Sequence, residues 1–187
     1  MAIKTFAVGE VLTASDTNTY LANSGLVYVT STTFTGSSAV QIDNCFTSTY
    51  DNYAVVINGN GNNTAPQNLY VRFVNGTTPD ATSIYGTSGI YSTTAAAATA
   101  FWSSIIANGY IGFIGDDTCS VFATIYQPQL AKKTSWNSLT TSFATTQFAN
   151  GNLYGLTTST TAFEGIYIFP SAGTITGTIT VYGYRKA

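Results

Sequence analysis

The 187-residue sequence contains no histidine and only two cysteines. Without imidazole, the chain cannot form a Ser-His-Asp or Cys-His nucleophile, a histidine general acid or base, or a histidine-ligated zinc site. Cys45 and Cys119 are too few for a four-thiolate metal site or a disulfide-stapled scaffold, and they lie near different predicted strands. We therefore expect two small buried thiols, no metal and no cofactor.

Charge is also scarce. Only 7% of the residues are charged, with six Lys or Arg against eight Asp or Glu. Because no basic run exceeds two residues, neither nucleic acid nor anionic lipid is an expected partner. The sequence has no secretory signal pattern and no uninterrupted run of 18 apolar residues, so we expect assembly without secretion and no membrane insertion. A surface built from hydroxyls and amides predicts that a partner covers part of it.

From residue 26 onward, short alternating runs rich in Thr, Tyr, Val and Ile predict an all-β domain over residues 26–187. Their close spacing favours a jelly-roll-like antiparallel β-sandwich of two sheets, with simple up-and-down order as the competing topology. The candidate strands cover residues 26–30, 38–43, 52–57, 68–74, 83–91, 101–106, 110–114, 119–127, 135–143, 153–157, 162–169 and 174–184.

Turn signals separate many of these runs. Asn-Gly pairs tolerate the positive φ angles of tight hairpins, and five of them predict turns. They start at Asn58, Asn60, Asn75, Asn108 and Asn150. The alanine-rich stretch from Thr93 to Ala100 is interpreted as a loop. The closing segment from Gly173 to Lys186 has its large apolar residues on one face, which predicts a central or interface strand.

The first 25 residues differ in character and are predicted to form a docking segment. Residues 14–23 can form a short helix, with Thr13 as N-cap, Asp16 in the capping-box position and Gly25 as a stop. Such a helix is marginal alone and needs a surface to pack on. Four apolar side chains are the candidate docking residues: Val11, Leu12, Tyr20 and Leu21.

Two other sets of residues are candidates for chemistry. Asp116, Asp117 and Glu164 are the carboxylates of a hypothetical glycan depolymerase, although Asp116-Asp117 is more simply a turn. Trp102 and Trp136 are candidate stacking platforms for a sugar, with burial in the core or an interface as the favoured alternative.

Three stretches of the sequence resemble a known class of protein. Residues 6–23, read as FAVGEVLTASDTNTYLAN, are similar to the N-terminal segment of tail-fibre and appendage proteins of tailed bacteriophages. Residues 46–57 and 177–185 resemble virion structural proteins of marine phages, including those of cyanobacteria. The resemblance implies a capsid- or tail-associated β protein, commonly trimeric, that docks through its N-terminal segment. The chain lacks the repetitive shaft of a long fibre, which keeps a head-decoration or short-appendage role open.

The sequence thus favours a non-enzymatic, homotrimeric virion structural protein whose partners are its own copies and the capsid, collar or tail. Burial of the docking residues against the particle would supply the attachment, repeated over several copies. The alternative is a carbohydrate-binding module for host surface glycans that uses Trp102, Trp136 or tyrosines in loops. The depolymerase is a third hypothesis.

Overall fold

The structure is a computed structural model that describes residues 7–16, 25–145 and 147–185. These residues form one short helical turn and thirteen strands. The elements are α1 (Ala14–Asp16), β1 (Leu26–Ser37), β2 (Val40–Ile42), β3 (Asn52–Gly61), β4 (Gln67–Asn75), β5 (Thr78–Pro79), β6 (Tyr85–Thr93), β7 (Ala96–Ile106), β8 (Gly109–Ile114), β9 (Thr118–Tyr126), β10 (Ser135–Ala144), β11 (Gln147–Thr157), β12 (Gly165–Pro170) and β13 (Ile175–Tyr184).

The strands form two antiparallel sheets that face each other. The large sheet has eight strands in the order β1-β13-β3-β9-β10-β11-β6-β7. In the small sheet β2, β12 and β4 lie side by side, and the remaining edge of β4 pairs with β8 and with the short β5. The prediction of an all-β antiparallel sandwich is confirmed, and each of the twelve predicted strands corresponds to an observed one.

The core lies between the sheets because alternate residues of each strand point inward. In β9, for example, Cys119, Val121, Ala123 and Ile125 are buried while Phe122 and Tyr126 are exposed. Val71 and Phe73 of β4 and Ile166 and Ile168 of β12 face them as part of the same hydrophobic cluster. The closing strand β13 lies between β1 and β3, so its prediction as a central strand is confirmed.

Three of the five Asn-Gly pairs lie inside strands, and their prediction as turns was wrong. The pairs starting at Asn58 and Asn60 belong to β3, and the pair starting at Asn150 belongs to β11. Gly59 is needed in its strand because a Cβ there would overlap the carbonyl oxygen of Thr176 on the neighbouring strand β13. A glycine inside a strand marks the close approach of another backbone more reliably than a turn.

Two further sequence predictions have partial outcomes. The predicted loop at residues 93–100 was wrong over most of its length, because only Thr94 and Ala95 form a turn and β7 begins at Ala96. The predicted helix over residues 14–23 is described only as far as Asp16, where Ala14–Asp16 is helical. Its remainder lies outside the described residues.

The strand β8 contacts both sheets. One edge of β8 pairs with β4, and side chains of the large sheet bind backbone groups of the strand. Thr87 and Thr140 hydroxyls accept hydrogen bonds from the amides of Tyr110 and Phe113 at 3.1 Å each. The indole of Trp136 donates to the carbonyl oxygen of Tyr110 at 3.0 Å. Side chains of the eight-stranded sheet therefore form hydrogen bonds with backbone groups of β8, at the edge of the small sheet.

Candidate functional site

The outward surface of the large sheet carries a group of exposed apolar side chains on β6, β7, β9, β10 and β11. We call this group the apolar face, and its members are Ile90, Trp102, Ile105, Phe122, Leu139, Tyr154 and Leu156. The strand register brings them together, since Phe122 pairs with Leu139 across β9 and β10. Leu139 is 55% exposed and Ile90 is 58% exposed. Contiguous exposed apolar patches are candidate interaction sites.

The apolar face also lacks charge. None of the residues in β6, β7, β9, β10 and β11 is Asp, Glu, Lys or Arg. At the end of this region β7 is an edge strand of eleven residues that contains no proline and no charge. Proteins often protect an edge strand with charges, bulges or a covering element, because its backbone groups can pair with another chain. Along β7 the pairing with β6 has two register shifts of the bulge type, near Tyr85 and near Tyr91, but no charge.

The two tryptophans occupy opposite environments. Trp136 on β10 is only 2% exposed, and its ring lies against Gly109 and Gly155, where any Cβ would overlap the indole. It packs edge-on against Phe73 with ring centroids 5.6 Å apart. Its position corresponds to the core alternative, and no face of the ring is open to a sugar. Trp102 on β7 is 75% exposed and remains accessible on the apolar face.

A second concave feature lies where the large sheet extends beyond the small one. This aromatic cleft, of about 290 Å³, is lined by Tyr91, Phe101, Tyr110 and Phe113 together with Pro66, Asn68, Thr93, Gln147, Ala149 and Leu153. The ring centroids of Phe101 and Tyr110 are 4.7 Å apart in an edge-to-face contact, and those of Tyr91 and Phe113 are 5.5 Å apart. The cleft opens on the face of β7 opposite to Trp102.

The chemistry of the cleft is neutral and polar at its rim. Tyr110 stays protonated because burial, followed by its hydrogen bond with Tyr70, raises its pKa to about 12. The side-chain amides of Asn68 and Gln147 form no hydrogen bond with any residue of the described chain. These amides are therefore available to a ligand.

The candidate carboxylates do not converge. Asp116 follows β8, whose Ile114 pairs with Gln67 at the start of β4, whereas Glu164 precedes Gly165, which pairs with Val74 at the far end of β4. The rise of an extended strand separates these two ends by roughly 25 Å. Glycoside hydrolysis needs two carboxyls about 5 to 10 Å apart. The structure therefore contradicts a shared depolymerase site for Asp116 and Glu164.

Each of these carboxylates instead has a structural role. Asp116 accepts hydrogen bonds from the amide and hydroxyl of Thr145 in the β10–β11 turn at 2.7 and 2.6 Å, and these bonds hold its pKa below the usual value. Glu164 accepts a hydrogen bond from the amide of Gly76 at 2.8 Å. Asp116 and Asp117 lie in the connection between β8 and β9, as expected of a turn.

The two cysteines are free and buried. Burial raises the pKa of each thiol to about 12, which makes both poor nucleophiles. Within residues 7–16, 25–145 and 147–185, no three His, Cys, Asp or Glu side chains form a group that could hold a metal ion. In that same part of the chain no helix is long and apolar enough to cross a membrane.

Of the four predicted docking residues, the structure describes two. Val11 is 78% exposed and Leu12 is 49% exposed, so neither is buried within this chain. Tyr20 and Leu21 lie outside the described residues.

Sequence reasoning missed both surfaces. One signal for the apolar face was present, because β9 carries apolar residues at both alternate positions, with Val121 and Ile125 inward and Phe122 outward. No local pattern indicated the cleft, since its ten residues come from five separate strands and the segments beside them. Comparisons of the chain with protein-family models, with curated proteins and with solved structures find no match.

Proposed function

We propose that the protein is a non-enzymatic structural subunit that assembles with copies of itself through the apolar face. The observation that carries this proposal is the exposure of Leu139, Ile90 and their neighbours on strands without a single charge. Covering these side chains would contribute about 25 cal/mol for each Å² of apolar surface removed from water. A second copy presents the same uncharged surface, so no charge would be buried unpaired in the contact.

The assembled form that we propose is a component of a bacteriophage particle, with three copies per assembly. The support for this is the resemblance of residues 6–23, 46–57 and 177–185 to phage virion proteins, for which a trimer is common. The exposure of Val11 and Leu12 supports a docking role for residues 1–25, because apolar side chains that find no cover in their own chain gain from a partner surface.

We further propose that the sandwich is a jelly roll. Four antiparallel pairings support it because they are nested: β1 with β13, β2 with β12, β3 with β9, and β4 with β8. An antiparallel ribbon folded over in this way alternates its strand pairs between two sheets, as a jelly roll does. The β10–β11 and β6–β7 hairpins are then insertions that widen one sheet and create the apolar face.

Light scattering coupled to size exclusion tests the assembly. We expect the full-length chain to elute as an oligomer and the Leu139→Asp variant as a smaller species, because the new carboxylate would lose its hydration in the contact. A wild-type chain that stays monomeric at high concentration would contradict assembly through this face.

The same measurement on a chain that starts at Gly25 separates the two proposed interfaces. If this shorter chain retains the oligomeric mass, the interface lies in the sandwich and residues 1–24 remain available to dock on the particle. If the mass falls to that of a monomer, the N-terminal segment is the oligomerisation element, which contradicts the role assigned to the apolar face.

A further inference from the structure

We propose that the aromatic cleft binds one residue of a neutral carbohydrate. This site is independent of the proposed assembly, because Phe101 and the apolar-face residue Trp102 are neighbours on β7 and lie on opposite faces of the sheet. It also differs from the sequence-based hypothesis, in which Trp102, Trp136 or loop tyrosines would stack against the sugar, because the aromatic residues of the cleft lie on strands.

The absence of charged residues in the cleft limits the class of ligand. None of its ten lining residues carries a formal charge. The nearby guanidinium of Arg72, on the same strand as Tyr70, already donates through Nε to the side-chain oxygen of Asn108 at 2.8 Å and lies 4.9 Å from the ring centroid of Phe169. A phosphate, a carboxylate or an ammonium group would lose hydration on entering the cleft and would find no countercharge among its lining residues. The ligand is therefore neutral.

The side chains define the ligand further. Tyr91, Phe101 and Tyr110 are each half-buried and offer apolar ring surface, while Asn68 and Gln147 offer two unused amides. A purely apolar ligand would strip water from these amides without replacing its hydrogen bonds. A sugar ring has an apolar face of C–H groups and a rim of hydroxyls, so it satisfies both kinds of surface.

The size of the cleft limits how much of a glycan it holds. Its volume of about 290 Å³ is at the lower end of the range for small-ligand sites. One sugar residue therefore occupies the cleft, and the rest of an oligosaccharide extends past the exposed Gln147. Binding to a single copy should be weak, and it gains strength from several copies acting on one polysaccharide.

The test uses the full-length chain on an array of neutral and acidic glycans, followed by calorimetric titration with the best neutral disaccharide. We expect binding of a neutral glycan, its loss in Phe101→Ala, and about tenfold weaker binding in Gln147→Ala, the effect of one hydrogen bond. Gln147 is exposed, and its side-chain amide forms no hydrogen bond with a described residue, so this variant should keep the backbone pairing with Ala144 and fold normally. Tyr28→Ala is the control for a nonspecific aromatic contact, because Tyr28 is an even more exposed aromatic residue on β1, at the opposite edge of the sheet.

Three results would overturn the proposal. They are no neutral glycan bound by the wild-type chain, binding confined to acidic glycans, and binding that survives in both cleft variants or depends on Trp102. Thermal unfolding of each variant shows whether a loss of binding comes from loss of the fold, and Gln147→Ala decides the matter if Phe101→Ala is unfolded. Light scattering on the same samples reports the assembly separately, so failure of either proposal is visible without the other.

Discussion

The outer surface of the large sheet has two halves, which differ in the chemistry of the side chains that they expose to solvent. Along the middle of β1 and β13 the outward side chains include hydroxyls that bond one another, with Ser31 and Thr180 oxygens 3.0 Å apart and those of Thr33 and Thr178 3.4 Å apart. Leu26 and Tyr28 at the start of β1 are exposed apolar exceptions. We call this the hydroxyl half. The other half, from β9 to β7, carries the apolar face.

The difference between the halves does not come from the backbone, because both belong to one continuous antiparallel sheet. It comes from the outward-pointing residues alone. Cross-strand hydroxyl pairs stabilise a sheet that faces water, whereas leucine and isoleucine in the same positions leave apolar surface in contact with solvent. The outward hydroxyls of the hydroxyl half find hydrogen-bond partners within one chain, whereas the apolar half leaves side chains in contact with solvent, and these are the side chains that we propose a second copy covers.

The largest expected effect tests whether the apolar face is merely an outward extension of the core. Trp136→Ala should lower the free energy of unfolding by about 3 to 5 kcal/mol, because it empties the space between Gly109 and Gly155 and leaves the Tyr110 carbonyl without its donor. Trp102→Ala should change it by no more than about 0.5 kcal/mol. Urea denaturation at a concentration that dissociates any oligomer measures both. Equal destabilisation would mean that the two tryptophans belong to one core.

The second prediction compares a charge placed on each half. Leu139→Asp should weaken self-association by about 10- to 100-fold, because a central interface position loses apolar contact and gains a charge that must be desolvated. Thr180→Asp, its counterpart on the hydroxyl half, should leave association unchanged. Sedimentation equilibrium of the two variants and the wild type gives the dissociation constants. Equal weakening by the two variants would remove the distinction between the halves.

The third prediction concerns a variant in which the hydroxyl half is made more like the apolar half. The double variant Thr178→Val and Thr180→Val makes the hydroxyl half apolar at two adjacent outward positions. It should change the stability of the monomer by about 1 kcal/mol or less, because two modest hydrogen bonds are exchanged for side chains with high strand propensity. It should nevertheless increase the scattered mass at high protein concentration. A variant as soluble and as small as the wild type would show that outward apolar residues on this sheet do not by themselves drive association.

The last prediction concerns the inner side of the sheet, where Cys119 lies on β9. Burial raises the pKa of Cys119 and Cys45 from 9.0 to about 12, so the unfolded chain releases these protons before the folded chain does. Their contribution to stability is therefore full below about pH 9 and is lost as the pH rises towards 12. Urea midpoints measured between about pH 8 and pH 11 should fall less steeply in the double variant Cys45→Ala and Cys119→Ala. An identical slope would place the thiols in contact with water.

The strands were predictable because each depends on its own residues. Alternation in β9 and β13 and β-branched residues throughout specify extended structure locally. The Asn-Gly pair at Asn150 was wrongly predicted as a turn. Gly151 is favoured at its position because Phe113 of the distant strand β8 lies against it and leaves little room for a Cβ. Glycine at a turn and glycine under a neighbouring side chain look alike in one sequence.

The candidate sites were less predictable for the same reason. The distance between Asp116 and Glu164 depends on which ends of β4 their flanking strands reach, and Trp136 is buried because Gly109 and Gly155 lie beside it. Both facts follow from the pairing of distant strands. The apolar face required knowledge of which surface of β10 the second sheet covers, and alternation in the sequence does not say which side is inward.

The nesting of the strand pairs affects the order in which the strands can pair during synthesis. The residues joined by the Ser31–Thr180 hydrogen bond are 149 positions apart in the chain, so β1 emerges from the ribosome long before its partner β13. Until then the β10–β11 hairpin can form from neighbouring residues, while β1 and β3 both lack the strand that will separate them. Closing such long loops is slow and leaves the early strands open to mispairing. Of the thirteen described strands, β13 is translated last and completes the large sheet, so we expect this sheet to reach its final state only after β13 is available.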